Sequence, residues 1–222
     1  MKVVITSATE REISPIKQTI DPLYTGESSR LRISFHESGV GILASCFSIS
    51  KLIFEEKPDL IIQAGIAGTF NNDTPLSKVV AVKEEYVADT GVEENSNLQD
   101  LFDLNLQHPN LFPFTNRKLV NPMLEKINLL NLDEVTAITI NEITTRQERI
   151  DQLKEKYRPE IESMEGASLH YCCLQTYTPF IQIRAISNYV GDRDKSNWKF
   201  KESFENLASI IERYIDALYT IK

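Results

Sequence analysis

Long apolar runs, cysteine, histidine and glycine are all scarce in this chain of 222 residues. Apolar runs such as Leu60-Ile61-Ile62 and Phe180-Ile181-Gln182-Ile183 are closed quickly by glycine or polar residues, against the roughly 20 apolar residues a membrane-crossing helix needs. No membrane association is expected. The first residues, Met1 to Ser7, read as a strand entering a polar turn and lack the features of a secretion signal, so the expected location is the cytoplasm. The 3 cysteines, Cys46, Cys172 and Cys173, have no paired ligand spacing and read as buried free thiols. His36, His108 and His170 stand far apart without a His-x-x-His or His-Glu-x-x-His pattern, so no metal is expected. Basic residues number 24 against 32 acidic ones, a formal charge of −8. Such a surface repels a phosphate backbone on average, which argues against nucleic acid as a partner.

What is present is a core-forming composition, with 41% of residues apolar, and no repeat, low-complexity tract or linker divides it. One domain over residues 1–222 is expected. Strand patterns fall at 2–6, 31–36, 59–64, 78–88, 134–140 and 180–187, and helix patterns at 10–20, 42–56, 117–131, 146–157, 165–176 and 201–219. Their alternation predicts an α/β fold, helices packed on a sheet. In the last helix Phe204, Leu207, Ile211, Ile215 and Leu218 recur at three- and four-residue steps, a core-facing stripe. The stretch from Asp89 to Phe114 is irregular and rich in leucine and phenylalanine, long enough to suggest a functional loop or one covered by a partner.

Glycine is rare, with 8 in the chain, yet four cluster in Gly39-Val40-Gly41 and Gly65-Ile66-Ala67-Gly68, each following a strand pattern. The carboxyl ends of strands are where ligands bind in open α/β sheets, although tight turns also need glycine. Neither cluster matches a dinucleotide or nucleoside-triphosphate fingerprint, and no cofactor is expected. Thr6-Ser7-Ala8-Thr9-Glu10-Arg11-Glu12 sets two carboxylates around a helix start. Glu10 is explained by the helix dipole; Glu12 is a candidate for holding a water. A second acidic cluster, Glu160-Ile161-Glu162-Ser163-Met164-Glu165-Gly166, precedes another helix. A polar loop from Arg184-Ala185-Ile186-Ser187-Asn188 to Trp198 follows the last strand pattern.

Taken together and in this order, these segments resemble the purine nucleoside phosphorylase and nucleosidase superfamily across nearly the whole chain. Ala8-Thr9-Glu10-Arg11-Glu12 resembles its water-holding loop, Gly39-Val40-Gly41 its next glycine turn, and Ala64-Gly65-Ile66-Ala67-Gly68 its sugar-and-base loop. Met164-Glu165 is similar to its ribose-binding pair, and Arg184-Ala185-Ile186-Ser187-Asn188 to Arg-Ala-Ile-Ser-Asp, whose last residue meets the purine. Within the superfamily, Gln63 to Gly68, Ala88-Asp89-Thr90-Gly91-Val92-Glu93 with Leu101-Phe102-Asp103-Leu104, and Ala185 through Tyr189-Val190 and Arg193-Asp194 to Trp198 resemble the futalosine hydrolases of the alternative menaquinone route.

The resemblance implies a three-layer α/β/α fold with a central mixed, twisted sheet, and a small-molecule nucleoside as the partner. It also implies a homodimer or higher assembly. The candidate catalytic residues are Glu12 (water), Glu165 (ribose hydroxyls) and Asn188 (purine). Candidate binding residues are Ala64, Gly65, Ile66, Ile143, Met164, Ser187 and Arg193, with Ile143 against the base and Ser187 supporting Asn188. Arg193 or Lys195 is expected to meet a carboxylate on the 5′ extension, and 98–114 to wall it, from this subunit or a neighbour. Asn188 replaces the proton-donating aspartate of adenosine-type nucleosidases. An amide fits N7 and O6 of a 6-oxopurine but gives up no proton. The phosphorylases' arginine and serine are missing at Gln63 and Ile66, so water is the expected nucleophile. A methylthioadenosine/S-adenosylhomocysteine nucleosidase and a catalytically silent nucleotide-binding module remain the alternatives.

Overall fold

The computed structural model describes residues 1–20, 24, 30–94 and 97–220. Its elements run β1 (Lys2–Ser7), α1 (Glu10–Thr19), β2 (Arg32–Glu37), α2 (Gly41–Glu56), β3 (Leu60–Thr69), β4 (Val79–Val87), β5 (Gly91–Glu94) and β6 (Asn97–Asp100). They continue with β7 (Leu119–Val120), α3 (Leu124–Ile127), β8 (Glu134–Thr139), α4 (Gln147–Tyr157), β9 (Ile161–Ser163), α5 (Gly166–Thr176), β10 (Phe180–Tyr189) and α6 (Phe200–Thr220).

Alternation along the strands explains the layers. Val3 and Ile5 of β1, Ile62 of β3 and Ile183 of β10 point to the side covered by α1 and α6. Val4, Ile61 and Phe180, one residue out of phase, meet α2 and α5 on the other side. Each fully buried isoleucine or leucine contributes about 1.5–3 kcal/mol. The sheet is mixed, as expected: β1 pairs parallel with β2 and β3, and β3 with β10, while β10 and β4 are antiparallel. Because β3 also pairs with β9, the strands β3, β10, β4, β8 and β9 close into a ring. Ala67, Val80, Val82, Val135, Ala137, Ile161 and Ile186 fill it.

The structure corrects the helix expected over 117–131. Asn116 and Arg117 have positive φ, Leu119 and Val120 pair with β4, and only Leu124–Ile127 is helical. Pro122 interrupts the pattern, and Asn121 is committed elsewhere, its N–H donating to the Lys83 carbonyl and its Nδ2 to the Phe180 carbonyl. The irregular 89–114 stretch contains the β5–β6 hairpin and a run of turns; its residues 95 and 96 lie outside the described residues. Its aromatic side chains pack on α5 and the residue that ends it, with Phe114 beside Tyr171 and Phe112 stacked on Tyr177. Among the described residues, no helix is long and apolar enough to cross a membrane.

Candidate active site

The carboxyl ends of β1, β3 and β10, together with β9 and the loop after β8, surround a cavity of about 290 Å³. Glu12, Glu165 and Asn188 all line it, as do Ile66, Met164, Ile143 and Ser187. Four sequence candidates do not. Ala64 is fully buried in the core beneath α1 and α6. Gly65 lies behind the wall, where a Cβ would stand 2.3 Å from Arg184 Nη1 and 3.0 Å from Glu12 Oε1. Arg193 is exposed, its guanidinium 5.5 Å from the centre of the Trp198 ring, and Lys195 is exposed as well.

Glu12 occupies the first turn of α1, where capping chemistry sets its side chain. Oε2 accepts from the Thr9 N–H (3.1 Å) and the Thr9 hydroxyl (3.0 Å), while Oε1 accepts from the Ile66 N–H (3.2 Å). These bonds tie the carboxylate to the turn between β1 and α1 and to β3. Glu10 points away and pairs with Lys17, which accords with reading it as a dipole-favoured surface acid.

Glu165 caps α5. Its Oε1 accepts the Gly41 N–H at 3.1 Å, and its Oε2 lies 3.7 Å from Arg184 Nη1. Gly41 has φ +84°, a conformation that glycine adopts without strain and that aims its N–H at the carboxylate. Burial pushes the Glu165 carboxyl above its usual range, and the Glu12 charge pushes the same way, while Arg184 and the Gly41 N–H oppose both. Arg184 is buried behind the site, with Nη2 donating to Gln63 Oε1 at 2.9 Å.

A polar layer beneath α5 fixes the position of Glu165. The Ala167 N–H donates to Thr139 Oγ1 (2.7 Å), which donates to Glu85 Oε2 (3.0 Å); Gln182 Nε2 donates to Glu85 Oε1 (2.9 Å). Gly166 is required here, since a Cβ would sit 1.9 Å from Glu85 Oε1. Burial raises the Glu85 carboxyl to about 7, and the buried His170, whose Nδ1 bonds the Leu119 carbonyl, is pushed down to about 4.

On the opposite wall, Ser187 Oγ donates to Asn188 Oδ1 at 2.8 Å, and Asn188 Nδ2 donates to the Tyr189 carbonyl at 3.1 Å. This fixes the amide's orientation and leaves one N–H free. A register shift between Ile186 and Asn188 sets Asn188 opposite Gly68. Trp198, Phe200 and Phe204 supply an apolar wall within this chain, and the 98–114 segment of the same chain does not line the cavity. Phe204, read in the sequence as part of a core stripe, therefore faces the cavity. Sequence reasoning also missed Arg11 and Glu162, both on the cavity wall. Glu162 stood in the acidic cluster of residues 160–165, but nothing in its spacing distinguished it from a solvated acid.

The fold agrees with the comparison against known families. The model of the phosphorylase superfamily matches residues 2–219; the chain belongs to that superfamily and is an enzyme. A futalosine hydrolase of Thermus thermophilus is 27% identical over 181 residues, covering 81% of this chain and 79% of that protein. A 5′-methylthioadenosine/S-adenosylhomocysteine nucleosidase of Bacillus velezensis is 25% identical over 236 residues, covering 96% of this chain and 99% of that protein. Among solved structures, the futalosine hydrolase of Helicobacter pylori aligns with a TM-score of 0.80 at 19% identity over 97% of both chains. The methylthioadenosine nucleosidase of the same organism aligns at 0.79 with 18% identity, covering 97% of this chain and 98% of that one.

Proposed function

We propose that this protein hydrolyses the N-glycosidic bond of a purine nucleoside and that its substrate is futalosine, from which it releases hypoxanthine for the menaquinone route. The observation that carries this reading is the convergence of Glu12, Glu165 and Asn188 on one cavity. Cleavage passes through an oxocarbenium-like sugar. A carboxylate bonded to the ribose hydroxyls holds them more tightly as positive charge grows on the ring, which is the role of Glu165. Glu12, held by three donors, orients a water at the sugar face and takes its proton, an effect worth about 10²–10⁴-fold. Met164 packs beside the ribose and Ile143 against the base.

Phosphate is disfavoured as nucleophile. The buried guanidinium of Arg184 is already engaged by Gln63 and Glu165, and Glu12 repels a dianion. With its Oδ1 and one N–H engaged by Ser187 and Tyr189, the amide of Asn188 has a single N–H to share between N7 and O6 and no proton to give up; a 6-amino group there would set donor against donor, which supports hypoxanthine over adenine. The relatives named methylthioadenosine/S-adenosylhomocysteine nucleosidases, which align along more of this chain, favour the second reading, cleavage of an adenine nucleoside. The 5′ extension of futalosine would run along Trp198, Phe200 and Phe204, with Arg193 or Arg11 meeting its carboxylate.

A second copy of the chain is the expected partner. Leu43, Phe47 and Phe54 of α2 are 86%, 73% and 70% exposed, and Val40 at the start of that helix both lines the cavity and is exposed. Burying this face between two copies would bring the interface to the cavity's rim.

The test is to incubate the protein with futalosine, inosine and methylthioadenosine, with and without phosphate, and identify the products. Hypoxanthine released from futalosine at a rate independent of phosphate is the expected result. Adenine from methylthioadenosine alone supports the second reading, and a sugar phosphate overturns hydrolysis.

A further inference from the structure

Glu162 of β9 pairs with Gly68 of β3, and Gly68 pairs with Asn188 of β10, so the three residues form one row across adjacent strands. Strands lie about 4.8 Å apart, which sets the Cα atoms of Glu162 and Asn188 about 10 Å from each other with no side chain between them. A Cβ on Gly68 would come within 3.2 Å of Asn188 Nδ2 and Val190 Cγ2. The row has room for a flat ring bracketed by two polar side chains, and both of these line the cavity.

Glu162 is 7% exposed, and its Oε2 has no hydrogen-bond partner. Thr144 bonds the carboxyl through its side chain and its backbone. An unpartnered carboxylate oxygen shut away from solvent is costly, and a turn of the Glu162 side chain at the cavity wall that brings this oxygen to a ligand's donor relieves that cost.

We propose that Glu162 reads the N1 side of the purine and thereby sets the preference for a 6-oxopurine over a 6-aminopurine. This rests on the nucleosidase reading of the same cavity. With Asn188 on the N7/O6 edge, the N1–C2 side of the ring faces the other end of the row. A 6-oxopurine carries a hydrogen on N1, which ionised Glu162 accepts; a 6-aminopurine presents a lone pair there, which ionised Glu162 repels and only the protonated acid can meet. Burial raises this carboxyl to about 7, opposed by the Thr144 hydrogen bonds and the Arg193 charge. The other charged groups on the cavity wall are Glu12, Glu165 and Arg11; the facing residues of β3, β10, the loop after β8 and the start of α6 are Gly68, Asn188, Ile140, Ile143, Phe200 and Phe204.

The experiment measures binding of free hypoxanthine and free adenine by calorimetry at pH 6 and pH 8, for the unaltered protein and Glu162→Gln, beside kcat/KM for futalosine and its 6-amino analogue. The unaltered protein should prefer hypoxanthine by roughly 10- to 100-fold at pH 8, with the preference shrinking at pH 6 as the acid takes up its proton. Glu162→Gln, whose amide both donates and accepts, should bind the two bases within about threefold at either pH, and it should melt no lower, since it removes a buried charge. A variant that keeps the original preference and pH dependence while futalosine is still cleaved overturns the role of Glu162 alone. Failure of the unaltered protein to bind either base or cleave either nucleoside overturns the nucleosidase reading and this inference with it.

Discussion

Replacing Gly65 by alanine tests the architecture behind the carboxylates. The new methyl group would stand 2.3 Å from Arg184 Nη1 and 3.0 Å from Glu12 Oε1, distances at which something must move. Arg184 is 2% exposed and held by Gln63 at 2.9 Å, so its guanidinium has nowhere to go without leaving Glu165 with a weakened counter-charge. Disrupting a buried ion pair of this kind costs about 3 kcal/mol. For a chain of this size that lowers the melting temperature by roughly 6–12 °C. The same displacement moves Glu12 from the Ile66 N–H, and misplacing a reacting group by about 1 Å costs on the order of 100-fold in turnover. The assay is thermal unfolding followed by kcat and KM on futalosine. Gly68→Ala is the comparison, since its Cβ would meet only side-chain ends at 3.2 Å and should cost under about 1 kcal/mol. If Gly65 instead touched the substrate, as its place in the glycine loop suggested, alanine would raise KM and leave melting and kcat alone. That result would refute the packing argument.

Three further outcomes follow from the same contacts. Glu85 has a folded pKa of about 7 against 4.5 when free, so the stability it contributes is fully present below about pH 4.5 and is lost as pH rises through about 7. Glu85→Gln should therefore gain about 2–3 kcal/mol relative to the unaltered protein between pH 5 and pH 8 in denaturant melts, and a constant difference would contradict the assignment. Lys57, which ends α2 in the left-handed region at φ 48° and is exposed, should gain about 0.5–1 kcal/mol on substitution by glycine, read as a small rise in melting temperature. Leu43→Glu combined with Phe47→Glu should halve the particle mass measured by light scattering; an unchanged mass removes α2 from the interface.

Much of the fold was legible because β1, β3 and β10 carry apolar residues on both faces, a pattern that buried parallel strands require. The two carboxylates were legible too, each standing at a helix start beside a strand end. What the sequence hid depends on pairing across the sheet. The row from Glu162 through Gly68 to Asn188 exists only because of an irregular register in β10 and a three-residue strand, β9. Gln63 and Ile66 were read for the phosphate donors they lack, whereas the Gln63 side chain and the Ile66 carbonyl hold the buried Arg184. Cys46 and Cys172, distant along the chain, meet with sulfurs 3.5 Å apart between α2 and α5, which no spacing rule could reveal. The apolar periodicity over 117–131 misled because Leu119 and Leu124 are buried on separate elements, one on a strand and one on a single helical turn.

The most direct test of the division of labour in the cavity is the turnover of Glu12→Gln measured at saturating futalosine, with the substrate's Kd measured on the same protein. Substrate should bind within about threefold of its original affinity, since Glu165, Met164 and Asn188 are untouched, while bond cleavage slows by about 10²–10⁴-fold for want of a base to take the water's proton. Cleavage at the original rate would contradict the assignment of the nucleophilic water to Glu12.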